Sequence, residues 1–447
     1  MMLTILKKGR LLILFTVVIA IAFAGMAHAE DFSLTDFGLK PAEEYDFDGE
    51  EVNIISWRAA RYEDYFKDDP AVKGRIEEAE EKFNMKLNFI QERDIPSVNM
   101  TRLMADDSKN DIWYSQSRIG YYELVSEDAV MDMSEVLPDE YYEALSVSER
   151  EALNILEFKG TKYGIGKTHY GSGMYDVGNI VMFYNNDIIE EVGAEDPYEL
   201  YKEDNWTWET AEEIFAEVTR DTEGDGETDQ WALRFFRPFS WARANGAEVT
   251  RTNEDGEVVF SFDQPEAIET LEQLQQWVDD GYVAQDAEYG FHDSWPMGEV
   301  AFYVHYVGAS QDFMDMEDEF TMVPLPKGPN ADRYMFPHWS PETVLIPSNA
   351  EQPEALAAVR TFLFREEDVD QNTMLSRYTR NEESAEVFNT IQEKWQGETR
   401  YLLENFGGDV VKDYVENDIV FGDEDPSSLM QEIKPIIQGE IDELYDQ

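Results

Sequence analysis

Four apolar side chains in a row, Val181, Met182, Phe183 and Tyr184, run straight into Asn185, Asn186 and Asp187. A run this short and unbroken reads as a strand covered on both faces, since a solvated face would show polar residues at alternate positions. The cover has to come from helices, and the next residues supply them. Ile188, Ile189 and Val192 suit a short helix that stops at Gly193. Thr207 is placed to cap a longer one over Thr207–Thr219, whose Ala211, Ile214, Phe215 and Val218 share a face. Strand between helices is the grammar of a layered α/β chain.

The same alternation opens the chain. Strands are expected at Val52–Trp57, Lys86–Ile90 and Asp111–Tyr114, with helices across Val72–Phe83 and near Val98–Ala105. Such βαβ units imply a mostly parallel sheet flanked by helices, with ligands held off the carboxyl ends of the strands. The loops beginning at Trp57 and Trp113 then open on one side. Gly160-Thr161 turns a hairpin, and the Gly- and aromatic-rich stretch Lys167–Gly178 reads as a crossing between two halves of the molecule. Asp263-Gln264-Pro265 starts a helix lined by Ile268, Leu271, Leu274 and Val278 and ended by Gly281. A strand follows at Met297–Val304. Pro324, Pro326 and Pro329 mark Leu325–Pro329 as a second crossing, since Pro-rich segments are extended and stiff. Pro353 starts another helix, with Leu356, Val359 and Leu363 inward. Two or three acidic helices are expected in Tyr401–Gln447.

At 447 residues the chain exceeds one ordinary core and suits two lobes. Lys7, Lys8 and Arg10, the apolar run Leu11–Met26 and Ala27-His28-Ala29 form a secretory signal, with cleavage expected after Ala29. The run falls short of the roughly 20 residues that span a bilayer. Cys is absent, which excludes disulfides, thiol catalysis and thiolate metal sites. Loss of the signal removes three cations and no acid, moving the formal charge from −61 to −64. Such a surface repels nucleic acid and anionic lipid. In molar salt the screening length falls to about 3 Å and the self-repulsion fades, so a saline or alkaline habitat accounts for the acidity.

Few motifs carry chemistry. Gly160–Thr168 has five residues between Gly160 and Gly166 where a phosphate loop needs four, and it sits in a hairpin. Outside the signal, His169, His292, His305 and His338 make no paired spacing. With 96 acidic residues, carboxylate pairs arise by chance and identify no acid–base site. The stretch 221–229 follows the first nine positions of a calcium loop. Asp221, Glu223 and Asp225 stand as side-chain ligands, Gly226 makes the turn, Glu227 offers its carbonyl, and Asp229 is ninth. Position twelve is Ala232, so the pattern is partial. Sugar sites combine flat aromatic surfaces with hydrogen-bonding side chains. Trp57, Trp113, Trp241, Trp295 and Trp339 lie near expected strand ends or crossings, with Arg58, Arg61, His169, Tyr170, Arg243 and Tyr306 beside them. Trp206, Trp208, Trp231 and Trp277 read as core.

FYNNDIIEEVGAEDP, WTWET and DTEGDGETDQWAL, flanked by YGIGK, MGEVAFY, MVPLPKGP and IPSNAEQPEALAAVRTFL, resemble in order the extracellular solute-binding proteins of carbohydrate ABC transporters. The resemblance spans roughly residues 50 to 365. It implies a two-lobed periplasmic-binding-protein fold of type II kind: α/β, each lobe a mainly parallel sheet flanked by helices, with the ligand cleft between. The lobes would interleave, with 30–170 and 325–395 in the first and 171–324 and 396–447 in the second. It further implies a monomer without catalysis that delivers a sugar or oligosaccharide to a membrane permease by hinge closure. A structural Ca2+ in the 221–229 loop, with Gln230 contributing, is part of the same implication. The chain lacks the lipid-bearing Cys common after the signal in many relatives, which favours a free periplasmic or secreted protein. Two alternatives stay open: a secreted carbohydrate-active enzyme, and a binder of a cationic ligand such as a polyamine.

Overall fold

The computed structural model describes residues 32–70, 72–117, 119–167, 177–234, 238–284, 294–338, 340–365, 375–394 and 413–445. The signal segment therefore lies outside the described residues, as do His169, Tyr170 and Trp339. The described strands are β1 (Glu51–Ser56), β2 (Lys86–Gln91), β3 (Asp111–Gln116), β4 (Ile180–Asn185), β5 (Trp231–Leu233), β6 (Thr250–Thr252), β7 (Val258–Phe260), β8 (Val300–Tyr306), β9 (Phe320–Val323) and β10 (Glu342–Leu345). Two four-stranded sheets and a small β6–β7 hairpin result, as the two-lobed α/β expectation requires.

The first sheet has the order β10-β3-β1-β2. β1 runs parallel to β2 and β3, and β10 antiparallel to β3, with Glu342 opposite Gln116 and Leu345 opposite Trp113. Its side chains alternate between two cores, as the period of a strand demands. Val52, Ile54, Ile112 and Val344 face one, with the helix Pro353–Leu363. Ile55, Trp113 and Leu345 face the other, with Tyr121, Leu124 and Phe158.

The second sheet, β5-β8-β4-β9, departs from the expected parallel pattern, because β4 is antiparallel to both β8 and β9. The chain enters β4 at the end where β8 finishes: the Asn179 carbonyl accepts the Val307 N–H at 2.9 Å, so β4 must run back against its neighbours. Around this sheet a larger core gathers Trp206, Phe215, Trp277 and Phe302. The Thr207 cap is present, with Thr207 and Thr210 forming a reciprocal box at the start of the helix Trp208–Val218.

One expected crossing, Lys167–Gly178, lies almost wholly outside the described residues, and the other differs from expectation. Leu325–Pro329 does not leave the second lobe: Leu325 lies in its core, and Lys327 exchanges backbone hydrogen bonds with Trp206 and Trp208, each at 3.0 Å. Proline made this segment extended, but extension served a strand-like bond to a neighbour. The crossing falls at 337–341. Pro337 O accepts the Ile180 N–H at 2.6 Å, and Pro341 O accepts the Ser117 N–H at 3.1 Å, so five residues connect β4 of one sheet to the end of β3 of the other. The boundary at 395 also moves. Tyr378, Val387, Phe388 and Ile391 belong to the second core. The helix Glu382–Lys394 covers the β9 edge, where Ser384 Oγ accepts the Met322 N–H at 3.1 Å. Of the described residues in the expected 325–395 segment, those within 340–365 pack with the first lobe.

That return segment is pinned by charge. Arg360, 2% exposed, pairs with Glu149, 6% exposed, and donates to the Lys167 carbonyl. Burial alone would lower the Arg360 pKa, but the Glu149 carboxylate holds it above its usual range. Gly166 makes room: a Cβ there would lie 2.6 Å from the guanidinium, at a φ of +110°. The prediction is that Arg360→Met, which strands Glu149 in the core, lowers stability by about 3–5 kcal/mol. Urea denaturation in low and in molar salt checks it, and the loss should be alike in both because the pair is shielded from solvent ions.

Candidate functional site

The carboxyl ends of β1, β2 and β3 and the start of β10 meet at one rim of the first sheet. β1 ends in Ser56, whose Oγ accepts the Arg58 N–H at 3.0 Å and turns the chain into the helix Ala59–Asp68. Gln91, ending β2, accepts the Ala60 N–H at 3.1 Å and satisfies that helix's first turn. The turn presents Trp57 and Arg58 half-buried, with Arg61 exposed one helical turn on. The Arg58 guanidinium lies 4.1 Å from the centre of the Trp57 ring, a cation–π contact.

Glu342 brings a carboxylate to the same place. Its Oε2 is 4.0 Å from Arg58 Nη1 and accepts the Tyr114 hydroxyl at 2.8 Å. Gln116 Nε2 donates to the Tyr114 oxygen. Burial pushes the Tyr114 pKa well above its ordinary range, and the nearby Glu342 charge pushes it further, so the phenol stays a donor. Glu342 is thereby held in one orientation beside Arg58. The side chains of Arg58 and Glu342 keep 25% and 19% exposure, enough to meet a ligand. Trp57, Arg58 and Glu342 form a patch with one positive charge, one negative charge and an aromatic ring, backed by the buried Tyr114 and Gln116.

The second sheet offers Tyr306 at the carboxyl end of β8, half-buried, its ring 4.4 Å from that of His305. Alongside runs the crossing, where His338 bridges to Asn179 and Ser340 Oγ lies 3.1 Å from Ser117 Oγ. A separate cavity of about 750 Å³ is lined by Trp208, Glu212, Gln273, Tyr282 and Lys327 among others, all of the second lobe.

Three expected ligand-facing tryptophans are instead core. Trp113 lies inside β3, which runs on to Gln116 because β10 extends its ladder, and its indole N–H donates to Asp111 Oδ2 at 3.3 Å. Trp241 packs edge-on to Trp277 at 5.0 Å, and Trp295 stacks on Tyr303 at 5.8 Å. All three are 0% exposed, which leaves no ring face for a ligand. Arg243 pairs with Glu248 at 2.9 Å. The reading of the residues missed Glu342, Tyr114 and Gln116. Nothing in their local pattern singles them out, since Tyr114-Ser115-Gln116 and Glu342-Thr343 show no alternation.

In the 221–229 loop, Asp221 accepts the N–H groups of Gly224 and Gly226, and Asp229 those of Thr222 and Glu223. The Thr222 N–H foremost holds the Asp229 pKa below its usual value. Glu223, Asp225 and Glu227 are exposed, and Gln230 donates to the Val218 carbonyl at 2.8 Å. Among the described residues, no group of three or more His, Cys, Asp or Glu side chains is close enough to hold a metal ion.

The family model described as bacterial extracellular solute-binding protein matches residues 94–369. Solved structures share the fold. An ABC substrate-binding protein of Listeria monocytogenes in complex with cycloalternan is 15% identical, with a TM-score of 0.63 over 88% of this chain and 99% of that one. The maltose/maltodextrin-binding domain of Bdellovibrio bacteriovorus bound to maltotriose is 14% identical, with a TM-score of 0.59 over 88% and 99%. UgpB of Mycobacterium tuberculosis in complex with glycerophosphocholine is 15% identical, with a TM-score of 0.57 over 88% and 98%. No curated protein matches the chain.

Tyr114→Phe leaves Glu342 and Gln116 each short of one partner. It is expected to lower stability by about 1–3 kcal/mol, read as a shift of the denaturation midpoint at unchanged m-value.

Proposed function

This chain belongs to the bacterial extracellular solute-binding proteins, a family of binders, and from that premise we propose that it captures an uncharged carbohydrate and delivers it to an ABC permease. The observation that carries the choice of ligand is the charge-balanced patch at the rim of the first sheet. Arg58 and Glu342 compensate one another, so an ionic guest would have to break a pair, whereas a polyhydroxylated ring can donate to the carboxylate and accept from the guanidinium. Trp57 offers the apolar face that such a ring needs. The cycloalternan and maltotriose held by two of the similar proteins support the reading. Arg58 in the patch argues against a polyamine, whose charge it would repel. The family's members bind without catalysis, which argues against an enzyme.

Binding residues on this reading are Trp57, Arg58, Arg61 and Glu342 from the first lobe and Tyr306 from the second. The lobes close about the backbone that joins them, and a ligand touching both sides favours the closed form. The chain is exported through the signal at 1–29 and stays monomeric, and its acidity suits a saline medium. We propose Ca2+ in the 221–229 loop on the order of its oxygens alone; it would tie the helix Trp208–Val218 to β5 and has no part in ligand capture.

Calorimetry in high-salt buffer tests the ligand class with neutral oligosaccharides, polyamines and a glycerophosphodiester. A neutral sugar is expected to bind, and Trp57→Ala and Glu342→Ala each to weaken it about 10- to 100-fold, equal to about 1.4–2.8 kcal/mol. Binding of the amines alone would remove the carbohydrate reading. For calcium, the melting temperature is expected to rise with millimolar CaCl2 and return with a chelator, and Asp221→Asn to abolish the rise; a flat response would remove the metal.

A further inference from the structure

Among the described residues, Tyr445 alone packs against apolar clusters of both lobes. It closes the helix Pro426–Tyr445, whose earlier turns belong to the second lobe. Leu429, Met430, Ile433, Ile437 and Ile441 are buried in that core. Side chains fix the same helix to the β6–β7 hairpin region: Gln438 accepts the Phe260 N–H at 2.8 Å and donates to Val258 O at 3.2 Å, and Lys434 pairs with Asp263 at 2.6 Å. The last turn then reaches across. Leu444 and Tyr445 pack on the first-lobe cluster of Trp113, Tyr121, Tyr122 and Phe158, with the Tyr445 ring 5.3 Å from that of Phe158 at 47°. Burial pushes the Tyr445 pKa up to about 12, in keeping with a phenol sheltered between the lobes.

We propose that the end of this helix is an interlobe latch, a contact remote in sequence from the crossings, which sets the balance between lobe arrangements and thereby tunes ligand affinity. It rests on the proposed closing motion but on no particular ligand. The physical reasoning is short. The helix is rigidly part of one lobe, so any rotation of that lobe carries the Tyr445 ring along its arc. Phe158 sits on the other lobe, beside the turn that bonds Phe158 and Thr161 to each other. Rotation therefore changes the contact directly, and only an arrangement that keeps the rings together gains their attraction. Interactions present in one of two states and absent from the other shift the population by their whole difference.

The absence of cysteine from the chain allows a clean measurement. Met104, 77% exposed on the first lobe, and Met297, 55% exposed on the second, are changed together to Cys and spin-labelled, and the label-to-label distance distribution is recorded without ligand. Adding Tyr445→Ala is expected to change the weight of the distance populations about threefold or more, with Tyr445→Phe keeping the parent distribution because it keeps the ring. Phe158→Leu attacks the contact from the other lobe and should reproduce the Tyr445→Ala change, which guards against a local unravelling of the helix end. Identical distributions in all four proteins would overturn the latch while leaving the carbohydrate proposal standing. Failure of any sugar to bind, with the distances altered as expected, would do the reverse.

Discussion

Five residues from Pro337 to Pro341 carry the main chain from one sheet to the other, and both sheets hold them by backbone hydrogen bonds. Each lobe has its own sheet and its own core, so the geometry between them is set wherever the backbone is shared. At this strip the end of β3 and the start of β4 are fastened to opposite ends of one short segment. A short segment fastened to element ends on both sides has the form of a hinge. The patch of Trp57, Arg58 and Glu342 lies at the same rim. Glu342 begins β10 directly after the strip, so the carboxylate is positioned by the segment that joins the two sheets.

The fold is most legible in the chain where a pattern has a single physical solution. Val181–Tyr184 is a strand buried on both sides, Thr207 caps its helix, and Pro353 begins the helix that the first lobe needs. The parallel pairing of β1 with β2 and β3 follows from the same alternation. Failures came where two solutions look alike in a sequence. An extended proline-rich segment can cross between lobes or lie along a neighbour, and Leu325–Pro329 does the latter. A tryptophan near a strand end can face a cleft or fill a core. Trp113 went inward because β3 is longer than its apolar run, a length fixed by pairing with residues more than two hundred positions away. Glu342 could not be singled out from 96 acids without that pairing.

The acid surplus is absorbed in two ways. Where carboxylates enter the interior they find dedicated partners: Glu149 meets Arg360, and Asp111 meets Arg102 at 2.7 Å as well as the Asn53 amide at 2.8 Å. With 35 cations for 96 acids, most exposed carboxylates must rely on solvent and counter-ions. Pairs such as Lys67–Glu63 are exposed and contribute little on their own. The fold is therefore held by its apolar cores and a few enclosed charges.

β10 joins the first sheet as an edge strand beside β3, and the bond from Tyr114 to Glu342 spans 228 positions of the chain. The first lobe cannot close its sheet until that distant strand has emerged from the ribosome, after most of the second lobe's backbone. Assembly of this kind is rich in non-local contacts, and such topologies mature slowly. The nascent polypeptide consequently remains loose for most of its synthesis.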